Sequence, residues 1–213
     1  MNGRPRRLVR CGLAAFLLAS ARVDAGDDVT ADMEAMVRRA FAGATAEEIA
    51  TRLEQDEVQA LCSRYRNRPP DDVAARILES QMRTVRFPDD GRLLGDWREG
   101  EKLASIGTGG HIGRIQPDPP DRRKGGNCYA CHALAPKEVA AGNLGPGLTG
   151  YGRLRGNAPE VVKATFAKVY NAQAFFPCSQ MPRFGHNGWL TLKEIADVVA
   201  FLLDPASPVN AER

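Results

Sequence analysis

Cys128-Tyr129-Ala130-Cys131-His132 sets two thiols at a Cys-x-x-Cys spacing with an imidazole directly after the second. That order is the attachment signature of a c-type haem. Two thiols at this separation reach the two vinyl groups on one porphyrin edge and add across them as thioethers. The next side chain then falls under the macrocycle, where its imidazole can bind iron as the proximal ligand. Two other chemistries use Cys-x-x-Cys. A thioredoxin-like redox pair follows a strand, whereas here the motif follows Lys124-Gly125-Gly126-Asn127. A structural zinc site needs a second pair of ligands, and the remaining His111, His186, Cys62 and Cys178 are scattered singly.

A six-coordinate electron carrier needs a distal ligand as well. Beyond the motif the sequence offers a single methionine, Met181, in Cys178-Ser179-Gln180-Met181-Pro182-Arg183-Phe184-Gly185. It falls after a helical pattern and a loop and before the last helix, as in a small cytochrome c domain. Pro182 stiffens the loop by fixing its own φ and restricting its neighbour. The rivals are His186, in the turn-like Gly185-His186-Asn187-Gly188, His111 in a glycine-rich stretch, and Cys178 as a thiolate. On the proximal side, the carbonyl of Pro146 in Gly145-Pro146-Gly147-Leu148 can accept the imidazole N–H and so orient the His132 ring; the alternative is a simple turn. His132 and Met181 are thus the candidate metal ligands, and Cys128, Cys131, His132, Pro146 and Met181 the candidate cofactor-binding set. No nucleophile-and-base pair is evident, so no catalytic residue is assigned.

Thioether attachment takes place outside the cytoplasm, and the N-terminus reads as an export signal. Arg4, Arg6, Arg7 and Arg10 form a basic n-region, and Leu13 to Ala19 an apolar stretch too short to span a bilayer. Val23-Asp24-Ala25 fits a cleavage site, with Ala19-Ser20-Ala21 as its competitor. Cys11 lies ahead of the apolar stretch, which argues against a lipoprotein signal. Residues 1–25 carry five of the 29 basic residues and one of the 26 acidic ones, which leaves 24 and 25 in the remaining 188 residues. The apparent basicity therefore resides in the signal, and neither nucleic acid nor a membrane surface is an expected partner. The expected compartment is the periplasm. Setting aside the haem thiols and Cys11, two of the five cysteines remain, Cys62 and Cys178, a candidate disulfide in an oxidising compartment. A free buried thiol or a bond to a partner subunit are the alternatives.

The elements that position these residues read as helices throughout. Thr30 can cap a helix bearing Met33, Met36, Val37 and Phe41, with the methionines as core packing. Thr45 with Glu48 forms a capping box ahead of Ile49, Leu53 and Val58. Asp71 can cap a third helix with Val73, Ile77, Leu78 and Met82 on one face, and Phe87 to Gly91 is a turn. Asp96 can cap a fourth. Glycine-rich loops are expected from 107 to 126 and from 142 to 156. Pro159 to Tyr170 is helical by pattern, and Thr191 with Glu194 opens a last helix bearing Leu192, Ile195, Val198, Val199 and Leu202, which Asp204-Pro205 ends. The expected fold is all-α: a class I cytochrome c-like domain over 91–213, with an N-terminal helical extension over 26–90 behind a signal peptide over 1–25.

Cys128 to His132, Gly145 to Gly152, Met181-Pro-Arg-Phe-Gly185 and Leu202-Leu-Asp-Pro-Ala-Ser-Pro-Val-Asn210, with Gly91 to Trp97 ahead of them, together resemble SoxX. SoxX is the mono-haem cytochrome c subunit of the SoxAX complex in the periplasmic sulfur-oxidising system. The resemblance covers about 90 to 210. It implies one covalent haem c, ligated by His132 and Met181 and linked through Cys128 and Cys131. It also implies a SoxA-like haem subunit as heterodimer partner, a SoxYZ-like carrier protein and a soluble acceptor cytochrome. In that family the complex is an L-cysteine S-thiosulfotransferase that couples thiosulfate oxidatively to a carrier cysteine, and the SoxX haem relays the electrons. Two other classes stay open, a free-standing electron-carrier cytochrome and a haem sensor or peroxidase-like protein. A saturated iron argues for relay of electrons and against substrate binding.

Overall fold

The computed structural model describes residues 25–42, 46, 49–50, 53–108 and 123–212. The signal segment with Cys11, the Thr45–Glu48 capping box and His111 lie outside the described residues. Every regular element among those described is helical, so the fold is all-α. The chain divides into two compact units, one ending at Ala42 and one running from Gly43 to Arg213.

The first unit contributes α1 (Ala25–Ala40). Thr30 lies within this helix and does not cap it. The assignment of its methionines to a core is also corrected, because Met33 and Met36 are each more than half exposed. Helical spacing puts them on one face but supplies nothing for that face to pack against.

In the second unit α2 (Glu57–Arg64) starts at a capping box that the sequence reading missed. Asp56 accepts from the Gln59 N–H at 2.8 Å, and Gln59 Oε1 accepts from the Asp56 N–H at 2.9 Å. Val58 and Cys62 are its buried residues. In α3 (Asp71–Met82) Pro70, and not Asp71, is the N-cap, and Asp71 and Asp72 lie in the first turn, where the helix dipole favours negative charge. Val73, Ile77 and Gln81 are buried, while Met82 is exposed. Val58, Cys62, Val73, Ile77 and Cys178 make one small core.

The larger core is built on α4 (Trp97–Ser105), α6 (Pro159–Tyr170) and α7 (Leu192–Leu203). Asp96 caps α4, accepting from the Arg98 N–H at 2.9 Å. Thr191 and Glu194 form the expected capping box of α7, whose residues Ile195 to Leu203 are all buried. The two helices meet closely. Gly100 lies against the carbonyl of Asp197 and the Phe201 side chain, with no room for a Cβ. The buried Asp197 carboxylate accepts from the Asp96 N–H at 2.9 Å and from Lys193 at 2.7 Å. The glycine-rich stretch expected to be loop from 142 to 156 contains the short helix α5 (Tyr151–Arg155). Its first amides are held by the C-terminal tail: Asn210 Oδ1 accepts from the Gly152 N–H at 2.8 Å, while Asn210 Nδ2 donates to the carbonyls of Leu202 and Asp204 at 3.1 and 2.9 Å. One buried amide side chain thereby joins the start of α5 to the end of α7.

Candidate functional site: a haem-attachment turn and its opposing loop

Cys128 to Ala130 form one turn of 3-10 helix, entered through Asn127 in the left-handed region at φ 45°. The Cys131 and His132 N–H groups both donate to the Cys128 carbonyl, at 3.1 and 2.9 Å. The turn is fastened to the end of α4 by Gly126 N–H to Leu103 O at 2.8 Å and Asn127 N–H to Ile106 O at 3.1 Å. Downstream, Gly142 N–H donates to Tyr129 O and Gly145 N–H to Cys131 O, both at 2.8 Å, so the following loop folds back over the motif.

His132 Nδ1 stands 2.7 Å from the Pro146 carbonyl. A carbonyl only accepts, so Nδ1 is the donor in this contact and Nε2 is the ring nitrogen left for a metal. Gly145 lies flat on the imidazole, where a Cβ would collide with the ring. Cys128 and Cys131 are not joined to each other. Burial pushes the Cys128 thiol up to about 11. Two unpaired thiols on one turn and an imidazole with a fixed, open Nε2 are the donor set that a covalent haem requires, so the residues fit that group.

Met181 lies in the loop between α6 and α7. Its side chain is partly buried and packs on the larger core, as do Cys128 and Tyr129. The loop and the attachment turn converge. Trp189 Nε1 donates to the Gly125 carbonyl at 2.9 Å, and a Cβ at Gly126 would lie 3.0 Å from Cys128 Sγ and 3.7 Å from the Phe184 ring. Of the rival ligands, His186 sits half-buried in the turn after Phe184, where burial, with the nearby Arg183 charge, pulls its pKa down. Cys178 is committed elsewhere. It forms a disulfide with Cys62, with Cα atoms 5.4 Å apart. Cys178 itself adopts φ 58°.

Three anchors hold the Met181 loop. Cys178 is bonded to α2. The Gly185 N–H donates to the Tyr170 carbonyl at 3.0 Å. Arg183, whose side chain is 6% exposed, donates to Asp56 at 2.5 Å and to Gln81 Oε1 at 3.1 Å. Gln81 Oε1 also accepts from Asn171 at 3.0 Å, and Asn171 donates to Thr84 at 2.9 Å. Burial alone would raise the Asp56 carboxyl, but the Gln59 N–H and the Arg183 guanidinium outweigh it and hold the group below its ordinary value. A polar cleft of about 290 Å³, lined by Gln59, Ser63, Gln173, Gln180 and Met181 among others, runs beside the disulfide, and no residue of the attachment turn borders it. The sequence reading missed Asp56, Gln81 and Arg183. The signal for Asp56 was present as the box Asp56-x-x-Gln59.

The family description "Cytochrome c" matches residues 125–204. An "Uncharacterized lipoprotein" of Aquifex aeolicus (strain VF5) is 42% identical over 157 residues, 73% of each chain.

Proposed function

Because this chain belongs to the cytochrome c family, we propose that it is an exported electron-relay subunit of the SoxX type, with one covalent haem. Cys128 and Cys131 would supply the thioether links, and His132 and Met181 would ligate the iron. Bound there, the haem supplies a one-electron couple. The chain's own residues do the rest. The Pro146 carbonyl accepts from His132 Nδ1 and orients the ring, which leaves Nε2 as the nitrogen that would meet the iron. The Met181 loop, fastened by a disulfide and a buried guanidinium, presents a thioether, a ligand that favours reduced iron.

The observation that carries the reading is the fixed His132 tautomer beside two unpaired thiols. The assignment to the SoxAX complex rests on the sequence motifs. Arg183 and Phe184 are buried supports of the ligand loop, and Ser207, Val209 and Asn210 are buried in the tail. On this reading the chain works in the periplasm beside a SoxA-like subunit and passes electrons from thiosulfate coupling on a SoxYZ-like carrier to a soluble cytochrome. The relative's name calls that protein a lipoprotein, and the export reading of this chain is supported by the basic and apolar pattern of residues 4–19.

Two measurements test this. Met181→Ala should convert low-spin haem to high-spin haem or recruit a new ligand, and an unchanged spectrum excludes Met181. Purified from its native periplasm, the protein should carry a second haem subunit with it, and alone it should not turn over thiosulfate. Robust thiosulfate-dependent turnover by the single chain would defeat the relay assignment.

A further inference from the structure

We infer that the Asp56–Arg183 ion pair is a positioning and tuning device for the Met181 ligand, which makes the segment from Asp56 to Gln81 part of the electron-transfer site. The inference rests on Met181 being the axial ligand. Arg183 follows Met181 by two residues, so their backbones lie within about 7 Å of each other. Its guanidinium is almost wholly buried, and the carboxylate that meets it belongs to Asp56, 127 residues away in sequence. Gln81 Oε1, shared with Asn171, fixes the other arm of the fork. The loop from Phe176 to Gly185 contains no helix or strand, so these bonds and the disulfide set where Met181 stands.

Charge gives the pair a second consequence. Oxidation of the centre adds one positive charge to it. A buried guanidinium nearby opposes that change, and the Asp56 carboxylate offsets the guanidinium. Removing either partner should therefore move the potential in opposite directions. A purely mechanical role predicts something else: loosening the loop from either side weakens the Met bond and lowers the potential in both cases.

The test uses the mature holoprotein, with two readouts: the midpoint potential and the sulfur-to-iron charge-transfer band of the oxidised form. Asp56→Asn keeps a good helix cap and a side-chain oxygen that can accept from Arg183, while it removes the negative charge. It should retain the band and raise the midpoint. Arg183→Gln should weaken the band and lower the midpoint, and Arg183→Lys should fall between it and the parent. Shifts of the same sign in Asp56→Asn and Arg183→Gln, or no shift in either, would overturn the inference. Where Arg183→Gln does not fold, Asp56→Asn decides alone, and an unmoved or lowered midpoint counts against the pair. Met181→Ala separates the two readings. A retained band in that variant overturns the ligand assignment and the inference together. A lost band there, without opposite shifts in the pair variants, overturns only the role of the pair.

Discussion

Around the His132 imidazole the chain leaves little to chance, because Gly145 and Pro146 both act on the ring. The carbonyl fixes which nitrogen is protonated, and the missing Cβ lets the backbone lie on the ring. Gly145→Ala should force the imidazole or the loop aside, at a cost of about 1–3 kcal/mol, the usual range for overpacking a tight site. The expected result is a lower yield of holoprotein in a pyridine haemochrome assay and a shifted Soret band; parental yield and spectrum would show that the loop yields without disturbing the ring. The candidate attachment motif Cys128, Cys131 and His132 was legible in the sequence because it has fixed types at fixed spacing. Pro146 was legible as a candidate acceptor for the imidazole, but the close fit of Gly145 on the ring was not. Neither was the part played by Arg183. It stood in view within Met181-Pro-Arg-Phe-Gly185, but a burial partner 127 residues away leaves no local periodicity to read.

At the scale of elements, capping chemistry was legible in part, since Thr30 lies inside α1, Pro70 in place of Asp71 caps α3, and the Asp56–Gln59 box was missed. Asp96 and the Thr191–Glu194 box mark helix starts because a side-chain acceptor must lie near an orphan N–H whatever the tertiary context. The 3.6-residue pattern of α6 was equally plain. Patterns failed where a face needs a partner to be a core, as with Met33 and Met36 on α1, and where a short helix such as α5 depends on a distant side chain, Asn210, for its first amides. The link between α2 and the Met181 loop was open to cysteine bookkeeping alone. Replacing Cys62 and Cys178 together by Ala should cost about 2–5 kcal/mol of stability, the range typical of native disulfides. Calorimetry should show a lower Tm in the double variant, and an unchanged Tm would mean that the bridge is dispensable to the fold.

At the scale of the second unit, long-range polar ties among the described residues supplement the two cores. One of these ties sets an acid limit. The Asp56 carboxyl titrates below its ordinary value in the folded chain, so between the two values the unfolded chain binds more protons. The contribution is complete above the ordinary carboxylate range and disappears as pH falls through the lower folded value. Urea midpoints measured from pH 6 down to pH 2 should fall less steeply in Asp56→Asn than in the parent, and parallel curves would remove Asp56 from the account. The disulfide carries a different consequence, for biogenesis. Cys62 and Cys178 enclose the Cys128–Cys131 pair in the chain, so during export Cys62 emerges first, and both haem thiols pass it before its partner arrives. Oxidation in the order of emergence would pair the wrong sulfurs and consume the thiols that must react with vinyl groups. If haem is attached through Cys128 and Cys131, production of the holoprotein should depend on a reductant that keeps these thiols free until the thioethers form. In a host that oxidises thiols but lacks that reductant, the chain should accumulate as haem-free, misbridged isomers.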